Sequence, residues 1–222
     1  MELDPDDVWA ITSRARIYQS VGRYEEALAE YTHAIELNSS SASIIADRGY
    51  LNRLAGRYEE ALADCASAIE LDPENSNAIT NRGATYRISG QYEEALVDFD
   101  RAIELDPGSG WAHYEKTVAL YAAQDPDYDI YFARVVEICT PDSSESDPAI
   151  SDIGNLFLVH CLMSDWAEAE HYLGTFISNG ATRGDVTELL TVMNTLRPIV
   201  PSAREHLAPF SCRLENALGE FE

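Results

Sequence analysis

GRYEEALAEYTHAIELN at 22–38, GRYEEALADCASAIELDP at 56–73 and GQYEEALVDFDRAIELDP at 90–107 decide how this chain folds. The three starts are 34 residues apart, twice, and the second and third blocks agree at 13 of 18 positions. A fixed period of this length marks a supersecondary unit that cannot bury its apolar face alone and stacks on its neighbours. Within each block the apolar residues recur at helical spacing, and each block's opening glycine stands where a preceding helix must end, so each unit is expected to hold a first and a second helix.

The recurring residues have physical roles. A small residue in the first helix (Ala15, Gly49, Gly83) lets the second helix approach, and Ala27, Ala61 and Ala95 face it. Small contacts bring helix axes to the short end of roughly 8–10 Å. Gly22, Gly56 and Gly90 stand where the first helix must end, in the position of a C′ glycine. Tyr24, Tyr58 and Tyr92 pack under that turn, and Pro73 and Pro107 close the second helix. Tyr18 and Tyr86 add bulk one turn beyond the small residue, where the second unit has Asn52 instead. Tyr31, Cys65 and Phe99 share one core position, so Cys65 reads as a buried thiol and not as a nucleophile.

Outward from the three blocks the pattern decays. From Gly110 the first helix persists as WAHYEKTVALYAA, but QDPDYD replaces the glycine and tyrosine, and DIYFARVVEIC resumes as a second helix. TPDSSESDPAISD (140–152) reads as a polar, flexible connector. AISDIGNLFLVHCLM and DWAEAEHYLGTFI form a degenerate fifth unit with Ala169 as its packing alanine. GDVTELLTVMNTL starts another helix at Gly-Asp, and 201–221 supplies one or two more, interrupted near Pro209. Such helices cap the last apolar face. At the other end, Glu2-Leu3-Asp4-Pro5 is in register with Glu70-Leu71-Asp72-Pro73, so residues 1–7 read as the tail of a preceding unit. Two explanations stay open: loss of upstream repeats, or a chain excerpted from a longer protein.

These residues resemble the tetratricopeptide repeat, specifically over residues 8–109 and more weakly beyond. The resemblance implies an all-α, right-handed α-solenoid of antiparallel helix pairs, a superhelix with C-terminal capping helices. The expected units are 8–41, 42–75, 76–109, a divergent 110–139, a connector at 140–149, a degenerate 150–183 and a cap at 184–222. In this family the second, fifth, ninth, twelfth and thirteenth positions of each repeat face a concave groove, and these spacings form one helical stripe.

That stripe reads Trp9, Thr12, Arg16, Gln19, Ser20; then Ser43, Ala46, Tyr50, Arg53, Leu54; then Asn77, Thr80, Ala84, Arg87, Ile88; then Trp111, Tyr114, Val118, Tyr121, Ala122. None of the twenty is acidic, although the chain carries 39 acidic residues against 15 basic ones, a net charge of −24. The acids lie instead on the second helices, as Glu25-Glu26, Glu59-Glu60 and Glu93-Glu94. Trp9, Arg16, Tyr50, Arg53, Asn77, Arg87, Trp111, Tyr114 and Tyr121 are therefore the expected peptide-binding residues: arginines grip carboxylates bidentately and aromatics supply rigid contact area. Arg14, Arg48 and Arg82, at the seventh position, read as structural partners of acids in adjacent helices. The family's carboxylate clamp for chaperone tails fits poorly, because its Lys and Asn positions hold Thr12, Arg16 and Asp47, and Asn77 and Asn81 stand where basic residues are expected.

The expected function is a non-catalytic protein–protein interaction module holding a peptide segment, acidic or aromatic, of another protein. The alternatives are a regulatory or assembly subunit that docks a basic partner on its acidic outer face, or the interaction part of a larger multidomain protein. Self-association through an open end of the array is a further possibility. The charge excludes nucleic acid and anionic membrane as default ligands. No motif for a metal, a cofactor or catalysis is present: the five histidines are scattered, and DPDYD at 125–129 lacks the glycine and glutamate of a calcium loop. Four widely spaced cysteines and an acidic N-terminus without a signal pattern suggest a cytoplasmic chain.

Overall fold

The computed structural model describes residues 6–140, 148–200, 203–219 and 221. Among them the chain is all-α, and no helix is long and apolar enough to cross a membrane. Residues 1–5 of the expected repeat tail and 141–147 of the expected connector lie outside the described residues. Contacts divide the chain into two compact units, Met1–Leu105 and Asp106–Glu222.

The first unit holds three helix pairs: α1 (Val8–Ser20) with α2 (Tyr24–Leu37), α3 (Ala42–Leu54) with α4 (Tyr58–Leu71), and α5 (Ser76–Ile88) with α6 (Tyr92–Leu105). Pairs stack in order, α2 on α3 and α4 on α5, and α3 also meets α5. Ala15, Ala27, Ala61 and Ala95 are fully buried, as the small-residue reading requires. A Cβ added to Gly83 would lie 2.7 Å from a Phe99 ring carbon, and one added to Gly49 would lie 3.2 Å from Cys65 Sγ. Tyr31, Cys65 and Phe99 are fully buried, and burial pushes the Cys65 thiol up to about 12, which removes it as a nucleophile.

An arginine clamp joins each of these pairs. Arg14 donates to Glu30 at 2.7 and 2.6 Å, Arg48 to Asp64 at 3.0 and 2.6 Å, and Arg82 to Asp98 at 2.8 and 2.7 Å. In all three the acid lies 16 residues after the arginine, so each bidentate pair ties the first helix to the second of its own unit. Asn52, the departure from tyrosine, also donates to Asp64 at 3.0 Å.

The second unit contains α7 (Gly110–Ala122), α8 (Tyr128–Cys139), α9 (Ile150–Leu162), α10 (Trp166–Ser178), α11 (Arg183–Leu196) and α12 (Ala203–Gly219). α7 pairs with α8 and α9 with α10; α11 packs on α9, and α12 on α10 and α11. Its core gathers Tyr114, Val118, Ile153, Phe157, Leu173, Met193 and Leu214. Lys116 stands in the clamp position, but the residue 16 further on is Phe132, and its ammonium instead meets the Tyr131 hydroxyl at 2.6 Å and lies 4.0 Å from that ring's centroid. α11 opens one residue before the expected Gly-Asp, closed by a capping box between Thr182 and Asp185. α12 continues through Pro209 as one helix rather than breaking there. The proline removes the N–H that would bond Glu205, but both residues are exposed, so water can satisfy that carbonyl.

The turn between paired helices is the same five times. The N–H of Gly22, Gly56, Gly90, Gln124 and Ser164 bonds the carbonyl three residues back, while the following N–H bonds five back, as in Arg23 to Tyr18 and Asp125 to Leu120. This is the Schellman geometry, which needs a left-handed residue. The three glycines have φ of 74°, 75° and 79°; Gln124 and Ser164 are forced to 59° and 60°.

Two stability experiments test this packing. Left-handed backbone costs a residue with a Cβ roughly 1–2 kcal/mol, offset in part by glycine's greater freedom when unfolded. Gln124→Gly and Ser164→Gly should therefore each stabilise the chain by about 0.5–1 kcal/mol, seen as a higher thermal midpoint. Arg82→Leu leaves the buried Asp98 carboxylate unpaired and should cost about 2–4 kcal/mol in chemical denaturation. Arg82→Leu combined with Asp98→Leu should recover most of that loss, and Arg14→Leu, at an exposed pair, should cost much less.

Candidate functional site

In the first unit the expected stripe runs along α1, α3 and α5, and its residues differ sharply in access. Trp9 is 76% exposed, and Arg16 and Asn77 are also exposed. Tyr50 is half-buried, with the Arg53 guanidinium carbon 5.2 Å from its ring centroid. Arg53 and Arg87 are only 4% and 3% exposed. Between these, Thr12, Ala46, Thr80 and Ala84 are buried and form the floor. The face thus has exposed polar and aromatic groups at Trp9, Arg16 and Asn77, and two guanidiniums sunk beneath the surface.

The expectation of a face free of acid needs correction. Asp47 on α3 places Oδ2 3.6 Å from the Arg16 guanidinium, beside the stripe although not on it. Burial holds the Asp47 carboxyl above the usual carboxylate range, while Arg16 and the Tyr31 hydroxyl act to lower it. Burial also pushes the Tyr31 phenol well above its ordinary value. Arg16, Asp47 and Tyr31 therefore form one polar cluster between the first two repeats. In sequence, Asp47 stands out only as a departure from the chaperone clamp, and Tyr31 only as a core residue.

A signal for that cluster exists in the repeat register. Position six of the four units reads Ser13, Asp47, Asn81 and Glu115, polar every time, although Asn81 and Glu115 are buried. The Asn81 side-chain oxygen accepts no hydrogen bond among the described residues. A polar residue held at a buried, periodic position is more informative than the exposed ones around it.

In the second unit the three expected residues part company. Trp111 is half-buried, with its indole N–H 3.4 Å from Glu115 Oε1, and Tyr121 stands edge-on to Tyr128 at 5.1 Å between centroids. Tyr114, at 1% exposure, is a core residue of this unit and offers no surface to a ligand. Its place in the stripe holds by spacing, but α9 supplies the Ile153 and Phe157 side chains of the same core cluster.

Burial also acts on cysteines and a histidine of the second unit. Burial pushes Cys139 up to about 12 and Cys161 higher still. His113 is buried, which lowers its pKa, and its Nδ1 lies 2.9 Å from the Ser109 carbonyl. Among the described residues no cluster of three His, Cys, Asp or Glu side chains could hold a metal ion.

Comparison with known proteins agrees with the architecture. Two family profiles, each described as tetratricopeptide repeat, match residues 12–76 and 76–109. No curated protein matches the chain in sequence. Among solved structures, PilW, a widely conserved type IV pilus biogenesis factor, aligns with a TM-score of 0.59 at 22% identity, covering 79% of this chain and 79% of that one. YrrB, a TPR protein with an unusual peptide-binding site, aligns at 0.51 and 24% identity over 79% of this chain and 87% of its own. The first TPR of Spaghetti (RPAP3), bound to the HSP90 peptide SRMEEVD, aligns at 0.51 and 23% identity over 56% of this chain and 98% of its own. These likenesses establish the shared fold. With the 34-residue period, the αL turns and the small-residue contacts all in place, residues 12–109 are tetratricopeptide repeats.

Proposed function

We propose that the chain is a non-catalytic protein–protein interaction module that binds a peptide segment of a partner protein along the first-helix face of α1, α3 and α5. The observation that carries this reading is an asymmetry of charge. In a chain of net charge −24, that face exposes Trp9, Arg16 and Asn77, with Tyr50 half-buried and Asp47 beside Arg16, whereas the exposed Glu59, Glu60, Glu93 and Glu94 sit on the second helices. An exposed indole and an exposed guanidinium on one helix face have the composition of an interface hot spot.

The floor of the face favours a ligand that both donates and accepts hydrogen bonds. Arg16 offers donors and Asp47 a carboxylate, 3.6 Å apart. An extended peptide backbone supplies matching groups, and an aromatic side chain of the ligand would cover Trp9. Peptides bound by YrrB and by the Spaghetti domain offer a precedent within the fold, but the clamp positions of this chain (Thr12, Arg16, Asp47) argue for a different peptide. The second reading, a basic partner on the acidic second helices, rests on the same asymmetry seen from the other side.

Substitution separates the two. Because Arg53 and Arg87 are buried, the informative changes are at the exposed residues. Trp9→Ala with Arg16→Glu should weaken capture of the partner, identified by pull-down and mass spectrometry, by about tenfold or more in titration. Lysine at Glu59, Glu60, Glu93 and Glu94 should leave that affinity nearly unchanged. The opposite pattern would assign binding to the acidic face.

A further inference from the structure

The turn between α10 and α11 is built differently from the five turns inside the helix pairs. In those, the left-handed residue donates its N–H to the carbonyl three residues back, as Gly22 does to Gln19 and Gln124 to Tyr121. Gly180 is left-handed too, with φ of 80°, but its N–H makes no hydrogen bond among the described residues. Asn179 precedes it and closes α10 through its own N–H to the Thr175 carbonyl. The Asn179 side-chain amide has no hydrogen-bond partner among the described residues, and both residues are exposed.

The chain has nine asparagines, and only Asn179 is followed by glycine. Asn52, Asn77, Asn81, Asn155, Asn194 and Asn216 lie within helices, where the backbone is held in the helical conformation. Asn38 and Asn75 stand at helix ends, but their side-chain oxygens accept from the N–H of Ser40 and of Ala78. Asn179 alone combines a free amide, a free N–H after it and no Cβ on the next residue to crowd that nitrogen's approach.

We propose that Asn179–Gly180 is a modification site, at which the chain deamidates without an enzyme to aspartate and isoaspartate. The Gly180 backbone nitrogen attacks Asn179 Cγ, forming an N–Cγ bond. The Cγ–Nδ2 bond breaks, and the amide leaves as ammonia with the proton that Gly180 gives up. Water then opens the five-membered imide at either carbonyl. Cleavage at Cγ gives aspartate; cleavage at the backbone carbonyl gives isoaspartate, whose peptide link runs through Cβ. The sum is asparagine plus water to aspartate plus ammonia, with no change of oxidation state. Ring closure needs rotation about the Asn179 Cα–C bond, now at ψ of 17°, and no hydrogen bond of Gly180 opposes it.

The product meets two features of the second unit. A carboxylate at the C-terminal end of α10 faces the negative end of the helix dipole. Isoaspartate also adds one carbon to the backbone just before the buried Ala181 and before Thr182, which forms the capping box of α11 with Asp185. The joint between α10 and α11 therefore takes up the change.

Incubation of the folded 222-residue chain near neutral pH, with peptide mass mapping at intervals, tests this. Conversion at Asn179 should be about tenfold or more faster than at any other asparagine, and isoaspartate should be found there beside aspartate. Gly180→Ala should slow it by about tenfold or more; the added Cβ meets nothing within 4 Å, so circular dichroism should still show the folded chain. Asn179→Asp should lower the thermal midpoint by roughly 1–4 °C, and the converted chain should lose more. An Asn179 that keeps its amide in the folded chain while the denatured chain loses it overturns the proposal. Equal conversion at all nine asparagines overturns it as well, because the turn then confers nothing.

Discussion

The space for a hydrogen-only side chain at Gly83, against the Phe99 ring, and at Gly49, against Cys65, sets how near paired helices can come. At that separation a guanidinium on the first helix spans to an acid 16 residues later with both of its N–H arms engaged. Were the helices farther apart, the pair would lose its bidentate geometry, and Asp64 and Asp98 would be buried carboxylates with poorer partners. Tight packing and the arginine clamp are therefore one constraint seen in apolar and in polar terms. The fourth unit has lost the polar half: with Phe132 in place of the acid, Lys116 turns to the Tyr131 hydroxyl and ring.

Much of this was legible from residues alone because repetition turns weak local signals into strong ones. One Gly-X-Tyr-Glu-Glu run says little; three at equal spacing specify helix, turn, helix and the contact between them. The clamp arginines were recognisable for the same reason, recurring at position seven with acids in reach. Where repetition fails, reading fails with it. The Asp-Pro-Asp-Tyr-Asp run announces a turn, but not its identity in hydrogen bonding with the glycine turns, because Gln124 adopts the left-handed conformation without the residue type that signals it. Pro209 looked like a break, yet its lost hydrogen bond falls on an exposed side of α12.

The candidate face was harder to read, for a different physical reason. Spacing along a helix gives direction but not depth, and depth depends on what the next helix covers. Trp9, Tyr114 and Arg87 share the stripe by arithmetic, yet one is open, one is core and one is nearly covered. Asp47 reads in sequence only as a departure from the clamp and not as a partner of Arg16, because it is one residue off the stripe, and a long arginine side chain can reach an acid there as readily as one in line.

Asp47 changes what Arg16 can be. An exposed guanidinium by itself attracts any carboxylate, but one already 3.6 Å from an acid presents a nearly balanced pair to an approaching ligand. A ligand carboxylate at that point would gain from Arg16 and lose to Asp47, whose own charged form burial already disfavours. A neutral amide incurs no such conflict, since it can accept from one group and donate to the other. The overall charge of −24 therefore bears on the face in two ways: it concentrates acids on the second helices, and it moderates the cation that the first helices retain. Selection by hydrogen-bond pattern and aromatic contact, more than by net charge, is the consequence for any peptide recognised there.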